Sequence, residues 1–288
     1  MTSEPDPTCC ACGRPMTARI GPWSFRCPTG HAWASTLTPS INAEGSAIDE
    51  GLREDGLEAI RSENNQRVLD TLDRISPLAD SDLLDVGSAH GWFLSSAASR
   101  GARVSGIEPD DEIARQSQHG ETVRSGYFPD VLGFGELFDV ISFNDVLEHI
   151  PHPAEAISAC FAHLRPGGLL SINIPDNRGL GFLMARTAAR LGVSGPYARL
   201  WQKGLPSPHL WYFDADALGQ IGRKAGFRIA STRRLPSIAG KGLWQRVHMD
   251  RSPSLATGLQ FFVVSVMRPL LNSSRMSDIL HLVLIKPE

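Results

Sequence analysis

The sequence has little of what marks a chain for a membrane, for export or for a polyanion. No apolar run approaches the ~18–20 residues of a membrane span. The nearest, Leu259–Met267, is short and closes on Arg268-Pro269. The first thirty residues hold prolines, acidic residues and four cysteines, with no apolar core of a secretory leader. These two absences lead to the expectation of a soluble, cytoplasmic chain without a membrane span. Net charge is also scarce, at −3 with a pI near 6.3, so the molecule as a whole offers no case for nucleic acid. Cysteine is sparse but clustered, with four of the five lying at positions 9–27. In a reducing compartment, clustered thiols point to a metal before a disulfide. No internal repeat is visible. What remains is an ordinary globular composition, 42% hydrophobic and 20% charged over 288 residues. That is enough for one large α/β domain and a small appendage.

Periodicity organises the chain from residue 54 onward. Glu54–Ile75 reads as a helix, with apolar residues at Leu57, Ile60, Val68, Leu72 and Ile75, and Pro77 ends it. Short apolar runs then alternate with helical stretches. Strands are expected at Asp82–Val86, Arg103–Ile107, Thr122–Tyr127, Phe138–Phe143 and Leu169–Ile174. Helices are expected at Trp92–Ser99, from Asp111 and at Ala154–Leu164. Such alternation implies a mostly parallel sheet covered on both faces. Residues 176–212 break the rhythm with an amphipathic stretch, Leu180–Leu191, and a Gly/Pro-rich loop. A helix over Asp214–Ala225, N-capped by Asp214, and strands at Phe227–Leu235 and Ile279–Ile285 close the pattern. Residues 236–278 carry no readable pattern.

A ligand site is written into the first strand and turn. Leu83-Leu84-Asp85-Val86-Gly87-Ser88-Ala89-His90-Gly91-Trp92 is a strand, a glycine-bearing turn and the start of a helix. Gly87 and Gly91 allow close backbone approach to a ligand, and ligands of open α/β sheets lie at the carboxyl ends of strands. The second strand ends in Gly106-Ile107-Glu108-Pro109, where a carboxylate can accept both hydroxyls of a ribose. These features alone also suit a plain tight turn with a surface glutamate, and they do not separate one nucleoside cofactor from another.

The order of four motifs is more specific. Asp85 stands before the turn, Phe138-Asp139-Val140-Ile141-Ser142-Phe143-Asn144-Asp145 follows, and Leu164-Arg165-Pro166-Gly167-Gly168-Leu169-Leu170 comes after it. Over roughly Asp82–Pro175, this resembles the class I S-adenosylmethionine (SAM)-dependent methyltransferases. The resemblance implies a Rossmann-like doubly wound, seven-stranded sheet, mostly parallel with the last strand antiparallel. It implies SAM as cofactor, with Asp85, Gly87, Ser88, Ala89 and Gly91 around its methionine end. Ala89 departs from the second glycine common in the family. Glu108 is implied to bind the ribose, Pro109 and Tyr127 to lie on the adenine side, and Asn144 and Asp145 to border the reacting methyl. The sulfonium is already a good leaving group, so the protein mainly has to align the acceptor and, where needed, take its proton.

Asn144-Asp145-Val146-Leu147-Glu148-His149-Ile150 is similar to the acidic–x–x–Glu–His run of ubiquinone-biosynthesis O-methyltransferases. On a helix, Asp145, Glu148 and His149 would share one face. Three roles stay open: a brace of the turn, a general base at His149, whose imidazole ordinarily titrates near 6.5, or a divalent-metal site of Asp145, Glu148 and His149, with His209 as a further ligand. His209, in Pro208-His209-Leu210-Trp211-Tyr212-Phe213, is a substrate-side candidate or an ordinary loop histidine. Trp201, Trp211, Tyr197 and Tyr212 either line an acceptor pocket or belong to the core. Residues 176–250 hold twelve Lys and Arg against four Asp. A basic roof of this kind suits an acidic or phosphorylated acceptor, or is simply a solvated face.

At the N-terminus, Cys9 and Cys12 form a C-x-x-C pair, and Cys27 and His31 a C-x-x-x-H pair, fourteen residues apart. Three thiolates and an imidazole complete a closed tetrahedral zinc shell, which is structural rather than catalytic. Cys10 is a bystander or a substitute for Cys9, and Trp23, Phe25 and Trp33 could pack a minimal core. The expected organisation is a zinc-ribbon-like knuckle at 1–34, a linker at 35–53 and a methyltransferase domain at 54–288 with a substrate roof at 176–212. The leading functional expectation is methyl transfer to a small-molecule acceptor, most simply a hydroxyl of a sugar, glycolipid, polyketide or quinone-like compound. The knuckle also resembles that of bacterial 23S rRNA guanine-N1 methyltransferases, which makes rRNA methylation with the knuckle docking RNA the alternative. A non-catalytic SAM-binding scaffold is the third.

Overall fold

The computed structural model describes residues 7–38, 50–237 and 276–288, with scattered positions between 258 and 273; over 50–60 the backbone alone is described. Most of the patternless segment 236–278 therefore lies outside the described residues. Twenty-six residues, Glu50–Ile75, form α1. Its described inner face carries Val68, Leu69 and Leu72, all fully buried against Leu83, Phe93, Leu94 and Val140. Burying each such side chain is worth roughly 1.5–3 kcal/mol.

The large sheet is built from β4 (Asp82–Val86), β5 (Arg103–Glu108), β6 (Val123–Ser125), β7 (Phe138–Asn144), β8 (Leu164–Pro175), β10 (Arg228–Leu235) and β11 (Ile279–Ile285). Its order is β10-β11-β8-β7-β4-β5-β6. The pairs β4–β5, β4–β7, β5–β6 and β7–β8 are parallel, whereas β11 runs antiparallel to both β8 and β10. This is the mostly parallel, doubly wound sheet with an antiparallel last strand that the sequence led us to expect. The central strands are buried on both faces, as parallel sheets require. Helices α2 (Trp92–Ala98), α3 (Asp111–Gln116), α4 (Pro153–His163) and α7 (Ala215–Lys224) connect or cover them. Asp214 caps α7 by accepting from the Ala217 N–H at 2.8 Å, as its position in the sequence suggests.

A second sheet was not legible in the sequence. The N-terminal strands β1 (Thr17–Ala18), β2 (Ser24–Arg26) and β3 (Ala32–Ser35) form an antiparallel unit, and β9 (Trp211–Phe213) extends it. Register pairs Ala32 with Phe213, Trp33 with Tyr212 and Ala34 with Trp211. The segment 176–212 folds as α5 (Leu180–Arg190) and α6 (Gly195–Leu200) before reaching β9. An aromatic cluster of Trp33, Phe182, Tyr197, Trp201 and Tyr212, with Trp23 packed on it, seals α5 and α6 onto the small sheet. Trp33 meets Phe182 at 5.7 Å and Phe182 meets Tyr212 at 4.7 Å between ring centroids. Trp23 and Trp33 thus pack the roof rather than a separate minimal core, while Phe25 lies with Cys9 and Cys27. Tyr197, Trp201, Trp211 and Tyr212 are all buried, and Trp211 also lines a cavity with Leu210 and Pro151.

Candidate functional site

The carboxyl ends of β4, β5 and β7 converge on one turn. After β4 the chain takes left-handed conformations at Gly87 (φ 72°), Ala89 (φ 45°) and Gly91 (φ 81°). A Cβ at Gly87 would sit 2.5 Å from Val146 Cγ2, and one at Gly91 would sit 2.6 Å from Ser117 Oγ. Glycine is required at both positions by conformation and by space. Ala89 occupies a region that favours glycine, which makes this turn mildly strained. The Gly87 and Ser88 N–H groups both donate to Ile107 O, at 2.7 and 3.1 Å, and tie the turn to β5.

Asp85 and Glu108 flank this turn. Asp85 is buried and accepts from Ser142 Oγ at 2.6 Å and from Asn144 Nδ2 at 3.0 Å. Burial pushes its carboxyl up to about 7 against those two hydrogen bonds. Glu108 is buried too, and accepts from the Ala89 N–H at 3.0 Å and the Asp110 N–H at 3.1 Å. Burial raises its carboxyl above the ordinary range. Pro109 follows it half-buried, and Tyr127 stands 59% exposed at the far side. Two buried polar atoms here have no partner, Ser88 Oγ and Asn144 Oδ1. Buried orphans of this kind cost about 1–3 kcal/mol each, and a polar ligand in the turn is the natural source of the missing partners. The residues present therefore fit a nucleoside-bearing, positively charged cofactor. Ser142 was not singled out in the sequence. Its signal was positional, since the β4–β7 register sets it directly opposite Asp85.

The segment after β7 sits on the Gly87 turn through Val146. It is not the helix that would align Asp145, Glu148 and His149 on one face. Asp145 is left-handed, with φ 56°, and only Leu147–His149 form a single 3-10 turn. Among the described residues, the ligand-type atoms gathered here are those of Glu148, His149 and His209, while Asp145 reaches Glu148 through its charge. One ligand-type atom each from Glu148, His149 and His209 lie within 4.8 Å of one another. The two imidazoles meet edge to face at 4.8 Å.

Hydrogen bonding fixes which ring nitrogen carries the proton. His149 Nδ1 lies 2.9 Å from Pro208 O, which can only accept. His149 is therefore protonated at Nδ1 when neutral, and its Nε2 holds a lone pair. Tyr212 Oη donates to Leu200 O at 2.8 Å, so it accepts from His209 Nδ1–H at 2.9 Å. His209 Nε2 accepts from the Gln202 amide Nε2–H at 2.8 Å, so its lone pair is engaged. Glu148 is buried and its Oε2 has no partner. Burial, and then the nearby Asp145 charge, push its carboxyl well above the usual range. A buried carboxyl beside the His149 Nε2 lone pair can take up a proton, and the three groups would hold a divalent cation only with Gln202 turned away from His209 Nε2.

The N-terminal cluster is equally well defined. The Gly13 N–H donates to Cys9 O at 2.7 Å and the Gly30 N–H to Cys27 O at 2.9 Å, closing two tight turns. Cys9, Cys12, Cys27 and His31 gather their ligand atoms within 4.8 Å, without Cys10. Cys12 Sγ lies 3.6 Å from Cys27 Sγ, and Cys27 Sγ lies 3.9 Å from His31 Nδ1. The edge of a tetrahedron with bonds of ~2.3 Å is about 3.8 Å, whereas a disulfide would be ~2.05 Å. Burial opposes the Cys27 thiolate, but hydrogen bonds from Thr29 and from the His31 and Thr29 N–H groups bring its pKa down to about 6. Cys160 is a buried core thiol.

Residues 60–232 match a family described as a methyltransferase domain. A ubiquinone biosynthesis O-methyltransferase of Psychrobacter cryohalolentis is 34% identical over 122 residues, covering 39% of this chain and 48% of that protein. Another protein of that name, from Hahella chejuensis, is 32% identical over 166 residues, covering 54% and 70%. The chain thus spans about half the length of the first of these curated relatives. Among solved structures, a SAM-dependent methyltransferase from Archaeoglobus fulgidus superposes with a TM-score of 0.56 at 15% identity, covering 83% of this chain and all of that one. A magnesium protoporphyrin IX methyltransferase from Synechocystis with bound SAH gives 0.52 at 15% identity, covering 85% and 91%. At these identities the superpositions speak for the fold.

Proposed function

The chain belongs to the class I SAM-dependent methyltransferases, and from that premise we propose that it transfers a methyl group from SAM to a hydroxyl of a small-molecule acceptor. SAM supplies a methyl group already activated on a sulfonium. The chain's own residues do the rest. Asp85 faces the positive methionine end, Glu108 accepts the ribose hydroxyls, and the Gly87–Gly91 turn lets backbone N–H groups approach. Ser88 Oγ and Asn144 Oδ1 gain the partners they otherwise lack, while Pro109 and Tyr127 flank the adenine.

The observation that carries the acceptor side is the Glu148–His149–His209 group, with Glu148 and His209 buried and His149 partly so, seated on the cofactor turn through Val146. His149 Nε2 is the proton acceptor for the attacking hydroxyl, since Nδ1 is committed to Pro208 O. His209 packs edge to face on His149, and Glu148, once ionised, compensates the imidazolium that forms. With Gln202 turned away from His209 Nε2, the same three groups would hold a divalent cation, which would lower the pKa of the hydroxyl. Asp145 borders the methyl side of the site.

The N-terminal unit, residues 1–34 and then a linker to 53, is proposed as a structural zinc knuckle with Cys9, Cys12, Cys27 and His31 as ligands. The S···S and S···N separations support it. An acidic or phosphorylated acceptor suits the roof. The alternative of rRNA methylation draws on the knuckle and on the same basic roof, which would suit RNA phosphates.

Methyl transfer from labelled SAM into an extract of the source organism, with and without ribonuclease, tests the reading. Label in the small-molecule fraction, indifferent to ribonuclease, is the expected result. Label confined to RNA would replace a hydroxylated small molecule by an RNA base.

A further inference from the structure

Several arginines of the described fold find carboxylates. Arg165 reaches Asp82 and Asp139 at 2.8 Å, Arg178 reaches Asp214 at 2.8 Å, and Arg234 reaches Asp176 at 2.7 Å. Three arginines at the junction of the small sheet and α5 do not. Arg26 lies on β2 and is the register partner of Trp33. Arg186 and Arg190 lie one turn apart on α5, on the same helical face. The guanidinium carbons of Arg26 and Arg186 both sit over the Trp33 indole, at 5.6 and 5.8 Å from its centroid. Among the described residues, none of the three makes an ion pair with a carboxylate.

This is an unfavourable arrangement for an empty surface. Burial of the Arg186 guanidinium, together with the charges of Arg190 and Arg26, opposes its ionisation. Among the described residues, the buried Nε atoms of Arg26 and Arg186 have no hydrogen-bond partner. The indole holds two guanidinium planes in place, so little side-chain freedom is left to lose on binding. A rigid set of forked donors without a counter-charge is complementary to a multiply charged tetrahedral anion.

We propose that Arg26, Arg186 and Arg190 form a binding site for the phosphate or diphosphate group of a small molecule. The site is separate from the SAM turn. It connects to the acceptor side through Trp33, Phe182 and Tyr212, the last bonded to His209. It deepens the reading of an acidic acceptor and rests on that reading only where the phosphate belongs to the acceptor.

Inorganic pyrophosphate is the probe, titrated calorimetrically into the full chain, with SAM titrated separately. The expected result is saturable pyrophosphate binding that weakens about tenfold in Arg186→Gln and several-fold in Arg190→Gln, with SAM affinity unchanged in both. Arg190 is exposed, so its variant keeps the test independent of any folding defect at Trp33. Inhibition by pyrophosphate of label transfer into the small-molecule fraction identifies the phosphate as the acceptor's own. Binding without inhibition identifies a separate phosphorylated effector, and either outcome upholds the site. No pyrophosphate binding with SAM affinity intact overturns the site and leaves the methyltransferase reading standing. Equal binding by wild type and both variants also overturns it, as does loss of RNA binding in the variants when pyrophosphate binds none of the proteins.

Discussion

Glu108→Ala tests the cofactor side most directly. An ionised carboxylate offers roughly four lone-pair directions. Two are spent on the Ala89 and Asp110 N–H groups, leaving two for the ribose hydroxyls. Each hydrogen bond to a charged group contributes about 1.5–3 kcal/mol. Losing the pair costs SAM ~3–6 kcal/mol, which weakens binding by at least about 150-fold. The ligand-free protein should suffer much less. It loses two backbone contacts but also sheds a carboxylate whose burial opposes its charge. Isothermal calorimetry with SAM gives the dissociation constant, and thermal unfolding of the ligand-free protein gives the control. A dissociation constant within threefold of wild type, with unfolding intact, would remove Glu108 from the ribose and refute the placement of the nucleoside.

Asp85 carries a pH signature. Its folded-state pKa of about 7 lies above the ~4 of an unfolded aspartate. The folded state therefore keeps the proton longer, and the contribution of Asp85 to stability falls as pH rises from about 4 to about 7. Urea midpoints of ligand-free Asp85→Asn should improve on wild type across that window, by a few kcal/mol at most; parallel curves would show that the carboxyl does not titrate there. Cys12→Ser should bring zinc, measured by elemental analysis, from about one per chain to near none and lower the unfolding temperature; a full zinc content would exclude Cys12 from the shell. His149→Ala should slow turnover while leaving SAM affinity within a fewfold, and an unchanged rate would reduce His149 to a brace. Tyr212→Phe removes the acceptor of His209 Nδ1–H and should cut turnover by about 10- to 100-fold with a shifted pH profile. A rate loss without that shift would assign Tyr212 to packing alone.

The large sheet was legible because parallel strands buried on both faces leave continuous apolar runs. Asp82–Val86 and Ile279–Ile285 fall on their expected bounds, and other strands differ at their ends, where pattern is weakest. The cofactor turn was legible through glycines whose necessity is steric. The acceptor side was harder. A helical face for Asp145, Glu148 and His149 presumes helical backbone, and Asp145 lies instead in the left-handed region, a choice local spacing does not encode. Strand β9 is three residues long, too short for alternation to register, and its partner lies at the other end of the sequence. The role of Trp33 was hidden for the same reason, since its neighbours Phe182 and Tyr212 are distant in sequence and meet it only in the folded chain.

The pairing of β3 with β9 also sets a schedule for synthesis. Trp33 leaves the ribosome about 180 residues before Tyr212, so at ~5–20 residues per second the first sheet waits ~10–40 s for its last strand. During that interval three metal-type thiols and the indoles of Trp23 and Trp33 have no roof to cover them. A metal captured early would hold the nascent unit closed through the wait. His209, held by Tyr212, can then be positioned only after the N-terminal unit has been kept in shape. With zinc at the proposed knuckle, metal supply during translation would thus govern how much of this chain matures.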